Sequence, residues 1–145
     1  MSDLSTSTIS IDAPVDAVRA ILFDLAGYPS WSTAIKSAEV KQTDDQGRAT
    51  SVKVSIDAGM MKDRVLLNYD WSGAPDKLEF SLEDADLLTA MNGSYITKAI
   101  DADTTSVTYE LGVEVSMPIP AMMRTKAEKA TIDQALSQLK AHAEN

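Results

Sequence analysis

Proton transfer to a bound molecule needs a titratable side chain held away from bulk water, and this sequence has few candidates. His142 is its only histidine. It falls within a turn of the end of a helical stretch and reads as a surface residue without a role. Glu110 and Glu114 alternate with apolar residues along a strand, which turns both carboxylates toward solvent. Thr125 and Glu128 are different. Projected at 100° per residue, they share a helix face with Ile132, Ala135, Leu136 and Leu139, where close packing would want apolar groups. A cavity under the N-terminal half of that helix would let them orient a ligand. The alternative is a helix overhanging the sheet edge, with Glu128 solvated or paired with Arg124 or Lys129, and both readings stay open.

The aromatic residues Tyr69, Trp71, Tyr95 and Tyr109 lie on inward strand positions, where they offer apolar area and, for tyrosine, a hydroxyl. With Met122 and Ile132 of the long helix, and Thr125 and Glu128, they form the expected ligand-binding set. Trp31, after Pro29, either sits at the mouth of the cavity or closes the core around the first helix, and the second reading is favoured. Met60, Met61, Met117, Met122 and Met123 gather at two connections, either as an adaptable gate or as core filler. Asp63 and Arg64 are expected to pair at a rim. With no cysteine and one histidine, thiolate nucleophiles and disulfides are excluded and a zinc site is disfavoured. No catalytic residue, metal or cofactor is assigned.

These groups need a scaffold, and periodicity supplies one. Thr6 to Asp12 reads as a strand ended by Ala13-Pro14. A helix follows, capped by Asp12 and carrying Val15, Val18, Ile21, Leu22 and Leu25 until Gly27. Ile35 to Gln42 and Ala49 to Ala58 form a hairpin around Asp44-Asp45-Gln46-Gly47. Further strands are expected at Asp63 to Trp71, around Leu78, Phe80 and Leu82, at Met91 to Ile100, and at Thr105 to Met117. Pro118 and Pro120 end strand pairing, and Ala121 to about Glu144 holds strong helix formers without glycine or proline. The order β-α-β6-α with hairpin-length connections predicts an α+β fold: a curved antiparallel sheet of about seven strands around a long C-terminal helix.

The chain of 145 residues reads as one domain over 1–145. Its net charge of -9 disfavours nucleic acid and anionic lipid surfaces. No apolar run is long enough for stable membrane insertion, and a cytoplasmic location is expected. Transient membrane contact and a protein partner stay open.

Several strings resemble the START-like or SRPBCC superfamily of helix-grip folds, within it the polyketide cyclase/dehydrase and lipid-transport group, near the coenzyme Q-binding proteins. They are Ile11-Asp12-Ala13-Pro14, Tyr28-Pro29-Ser30-Trp31, Lys62-Asp63-Arg64, Gly93-Ser94-Tyr95 and Thr105-Ser106-Val107-Thr108-Tyr109-Glu110, which span nearly the whole chain. The resemblance implies an elongated apolar pocket between sheet and helix, holding a lipid, quinone or polyketide-like molecule. Carriage of such a ligand is the first expectation. The alternatives are a polyketide cyclase or aromatase using Glu128 as acid or base, and a protein-interaction module with a filled interior.

Overall fold

Residues 4–57, 62–116 and 119–144 are described by a computed structural model. Strand β1 (Ser5–Ile11) leads into helix α1 (Val15–Phe23) and a 3₁₀ segment (Leu25–Ser30). Six strands follow, β2 (Ile35–Thr43), β3 (Ala49–Asp57), β4 (Lys62–Asp70), β5 (Lys77–Ala85), β6 (Leu88–Asp101) and β7 (Thr104–Val115), before helix α2 (Ala121–Ala143). The strands form one antiparallel sheet in the order β1-β7-β6-β5-β4-β3-β2. This is the expected helix-grip architecture.

Alternation builds it. On β7, Val107, Tyr109, Leu111 and Val113 are buried, while Thr108 and Glu110 between them are only half-buried. On β3, Val52, Val54 and Ile56 are buried in the same way. Gly47 takes φ +80° in the β2–β3 turn, the left-handed conformation that glycine adopts without a Cβ penalty. Gly93 on β6 has a packing reason instead. A Cβ there would meet the Glu110 carbonyl oxygen and come within 2.8 Å of Phe80 Cζ, so the missing side chain is what lets the Phe80 ring lie across the sheet.

The first helix departs from expectation at both ends. Pro14, not Asp12, stands at its N-cap without a side-chain hydrogen bond, and the Asp12 amide instead donates to Glu144 Oε2 at 2.8 Å. At the other end the chain tightens into the 3₁₀ segment before reaching Gly27. There the buried Tyr28 hydroxyl donates to the Leu22 carbonyl at 2.7 Å, satisfying an acceptor left open by the helix terminus.

Helix α2 packs on β1 and β7, at one side of the sheet. Ile132, Leu136 and Leu139 are buried there and join Ile11, Val107 and Leu111 in the core. Lys129 Nζ donates to the Thr6 carbonyl at 2.8 Å and Lys140 Nζ to the Ser10 carbonyl at 2.9 Å, so the helix also covers the edge strand β1. At the opposite edge, register shifts break the β2–β3 ladder at Ile35/Ser37, Val40/Gln42 and Gln42/Thr43, which bends β2. Among the described residues, no helix is long and apolar enough to cross a membrane.

Candidate functional site

A cavity opens where α2 leaves the sheet uncovered. Val52, Val54 and Ile56 of β3 and Leu67 of β4 floor one side, and Met91 of β6 continues the apolar surface. Leu25, Tyr28 and Trp31 of the 3₁₀ corner form a wall with Ala34, Ile35 and Ala38. Thr131, Gln134, Ala135 and Gln138 of α2 form the roof. Free space amounts to about 60 Å³. One water needs roughly 10–15 Å³ on this measure, whereas pockets for drug-sized ligands run to about 300–1,000 Å³. The cavity as it stands holds a few waters or a small fragment.

Aromatic rings dominate its surface. All four tyrosines, Trp31 and Phe80 line it, six of the eight aromatic residues in the chain. The rings form a continuous series. Trp31 lies 4.9 Å from Tyr28, Tyr28 meets Tyr95 edge-on at 6.5 Å, and Tyr95 stacks on Tyr109 at 4.2 Å. Phe80 follows at 6.5 Å from Tyr109, and Tyr69 at 5.8 Å from Phe80.

Burial pushes all four phenols above their ordinary titration range, and for Tyr28, Tyr69 and Tyr95 the neighbouring phenols add to it. They stay protonated at neutral pH. Among the described residues the lining contains no carboxylate, imidazole, ammonium or guanidinium. The Trp31 indole N–H is buried without a hydrogen-bond partner.

Beside the cavity, α2 is tied to the segment just before β2. Thr33 bridges them: its amide donates to Gln138 Oε1 at 3.0 Å, and its Oγ1 accepts from Gln138 Nε2 at 2.7 Å and Gln134 Nε2 at 3.2 Å.

Of the residues expected from sequence, Tyr69, Tyr95 and Tyr109 line this cavity. Trp71 does not. Its indole donates to the Ala49 carbonyl at 2.7 Å, its ring meets Phe23 edge-on at 5.2 Å, and Arg48 lies 5.4 Å above it, in a separate cleft. Ile132 is fully buried in the core beside the cavity. Met122 is 81 % exposed and Thr125 is also exposed, so neither reaches the interior.

Glu128 follows neither expectation for it. It is only 1 % exposed, with Oε1 accepting from Ser5 Oγ at 2.7 Å and Oε2 from the Val113 amide at 2.7 Å. The carboxylate joins α2 to β1 and β7, outside the cavity. The roof comes instead from the C-terminal half of α2, about a quarter turn around the helix from the Leu139 stripe. A stripe that packs on β1 and β7 cannot also face the open half of the sheet.

Asp63 and Arg64 likewise differ from the rim pair expected of them. Asp63 is buried and its carboxylate accepts from the amides of Arg64, Asp86, Leu87 and Leu88 at 2.8 to 3.1 Å, fixing the β5–β6 turn. Arg64 lies 3.7 Å from Asp86 instead. His142 is exposed. Met60, Met61 and Met117 lie outside the described residues, and Met123 is 48 % exposed. No group of three or more metal-ligating side chains is assembled among the described residues.

Sequence reasoning passes over Tyr28, Gln134 and Gln138. Trp31, for which a place at the mouth and a place closing the core were both open, belongs to the core cluster and also lines the cavity. The two glutamines carried no signal beyond their spacing of one helical turn.

Comparison with known proteins agrees with this fold. A START superfamily protein from Mycobacterium smegmatis superposes with a TM-score of 0.93 at 20% identity, covering 99% of this chain and 98% of that one. A protein from Thermus thermophilus gives 0.79 at 19% identity, with 97% and 96% covered. The Zhui aromatase/cyclase from a Streptomyces species gives 0.75 at 16%, with 97% and 93% covered. At these identities the likeness concerns the fold alone. No curated protein matches the sequence. The family model described as "Polyketide cyclase / dehydrase and lipid transport" matches residues 4–144, and the chain therefore belongs to that family.

Proposed function

We propose that the protein binds a small hydrophobic molecule, of lipid, quinone or polyketide-like character, in the cavity between the sheet and α2. The observation that carries this reading is a lining of aromatic and aliphatic side chains with no charged group among the described residues, where apolar burial drives binding and a few hydroxyls orient the ligand. A ligand larger than the present free volume requires α2 and the 31–38 segment to part. The side-chain bonds from Thr33 to Gln134 and Gln138 resist that parting, at about 1 kcal/mol each.

A cyclase, the alternative reading, would have to draw its acid–base chemistry from neutral phenols, because Glu128 has both oxygens engaged away from the cavity. Binding without turnover is the simpler assignment. Native mass spectrometry of the purified protein, followed by a thermal-shift screen with quinones, fatty acids, sterols and polyketide mimics, tests it. A co-purifying apolar mass or a saturable rise in melting temperature supports binding. An empty protein that responds to none of these classes overturns it in favour of a protein partner.

A further inference from the structure

The exposed apolar side chains of this protein are concentrated at one end. Seven large ones are exposed among the described residues, and four of them, Leu87, Ile119, Met122 and Met123, sit on neighbouring features. Antiparallel pairing shows why they are neighbours: Leu88 at the start of β6 faces Val115 at the end of β7, and α2 begins shortly after, at Ala121. Met122 is 81 % and Leu87 59 % exposed. Single apolar residues on a surface are ordinary, but a cluster marks a contact. None of the four lines the cavity or a described cleft, so they project outward rather than enclose a groove.

Charge is segregated along the same axis. The three hairpin connections at the opposite end each bring two aspartates: Asp44 and Asp45, Asp70 and Asp76, Asp101 and Asp103. At the apolar end, Lys62 lies 3.8 Å from Asp57 and Arg64 lies 3.7 Å from Asp86. Asp84 and Glu114 are balanced in number there by Arg124 and Lys126. The first turn of α2 has no acidic residue, although acidic groups are what steady a helix start in water. Methionines and cations stand there instead.

We infer that this end docks on a lipid bilayer with zwitterionic headgroups, with Leu87, Ile119, Met122 and Met123 entering the headgroup layer and the aspartate-bearing turns facing away. Projecting apolar tips suit a fluid surface that conforms to them, whereas a folded protein partner has to offer matching hollows. Arg124 and Lys126 meet headgroup phosphates, and the net charge of -9 sets the molecule as a whole against anionic bilayers. The docking goes beyond the cavity reading and does not depend on it.

Flotation with phosphatidylcholine vesicles on a density gradient tests the inference. The wild-type protein should float with the vesicles, and Leu87→Glu with Met122→Glu should lower partitioning roughly tenfold or more. Its melting temperature should hold, because both side chains are exposed. The sequence contains no cysteine, so single cysteines can carry an environment-sensitive dye. A dye at Met122→Cys should shift to the blue on vesicles, while one at Ile100→Cys, exposed at the far end of β6, should not.

No flotation together with an unmoved Met122→Cys dye overturns the docking. Equal shifts from both dyes overturn the orientation, and flotation only when the vesicles contain phosphatidylglycerol overturns the charge argument. Dimers in sedimentation that dissociate in the double glutamate variant, with no vesicle binding, assign the end to a second copy of the chain instead.

Discussion

At Glu128 one carboxylate holds three elements together, and its removal would strand the Val113 amide and the Ser5 hydroxyl in the interior. Glu128→Leu should therefore lower unfolding free energy by about 2–4 kcal/mol, read in urea melts, while leaving ligand affinity at the cavity within about twofold. Unchanged stability with lost binding would place Glu128 in the site instead. The sequence did reveal that residue 128 breaks the apolar face of the helix. It did not reveal the partner, because Ser5 is 123 positions away. The phenols give a second prediction. Their folded-state titration is raised above the ordinary value near 10, so the unfolded chain loses protons first as pH rises. Stability from these groups is fully present below about pH 10 and falls above it. Phenolate absorbance should appear together with unfolding in an alkaline titration, and phenolate forming in a protein that is still folded would contradict the burial.

At the scale of elements, strand alternation located all seven strands within a few residues, because a sheet with one buried face writes its register into every second position. Helix phase was harder to read. Of the stripe Ile132, Ala135, Leu136 and Leu139, three residues mark the packed side of α2, whereas Ala135 lies at its border and roofs the cavity with Thr131, Gln134 and Gln138. Composition does not separate those two faces, since the second reads as an ordinary solvated surface. The double substitution Gln134→Ala with Gln138→Ala removes all three hydrogen bonds between α2 and Thr33. It should reduce stability by no more than about 3 kcal/mol and speed ligand association severalfold in stopped-flow measurements. Slower association would show that the bridge shapes the route to the cavity rather than restrains it. Asp63→Ala belongs to the same scale. Four backbone amides lose their acceptor, and hydrogen exchange at Asp86 to Leu88 should accelerate while exchange in β7 stays slow.

Across the whole molecule, the helix covers one side of the sheet while the cavity forms over the other, so stabilising packing and the proposed binding surface are laid side by side. That division explains why the fold was legible before the site was: packing depends on pattern, but an unfilled volume depends on how far β2 to β5 curve from α2, and no residue pattern encodes a distance. It also explains why Trp71, on an inward strand pattern, ended in a different cleft, since the chain leaves β4 at Asp70, just before it. The placement of the two tryptophans has an optical consequence. Trp31 ends a series of rings spaced 4.2 to 6.5 Å apart that includes every tyrosine, whereas Trp71 stands outside it. Of the two indoles only Trp31 stands on the cavity lining, so a change in ultraviolet emission when the cavity is occupied should come from Trp31 and disappear in Trp31→Phe.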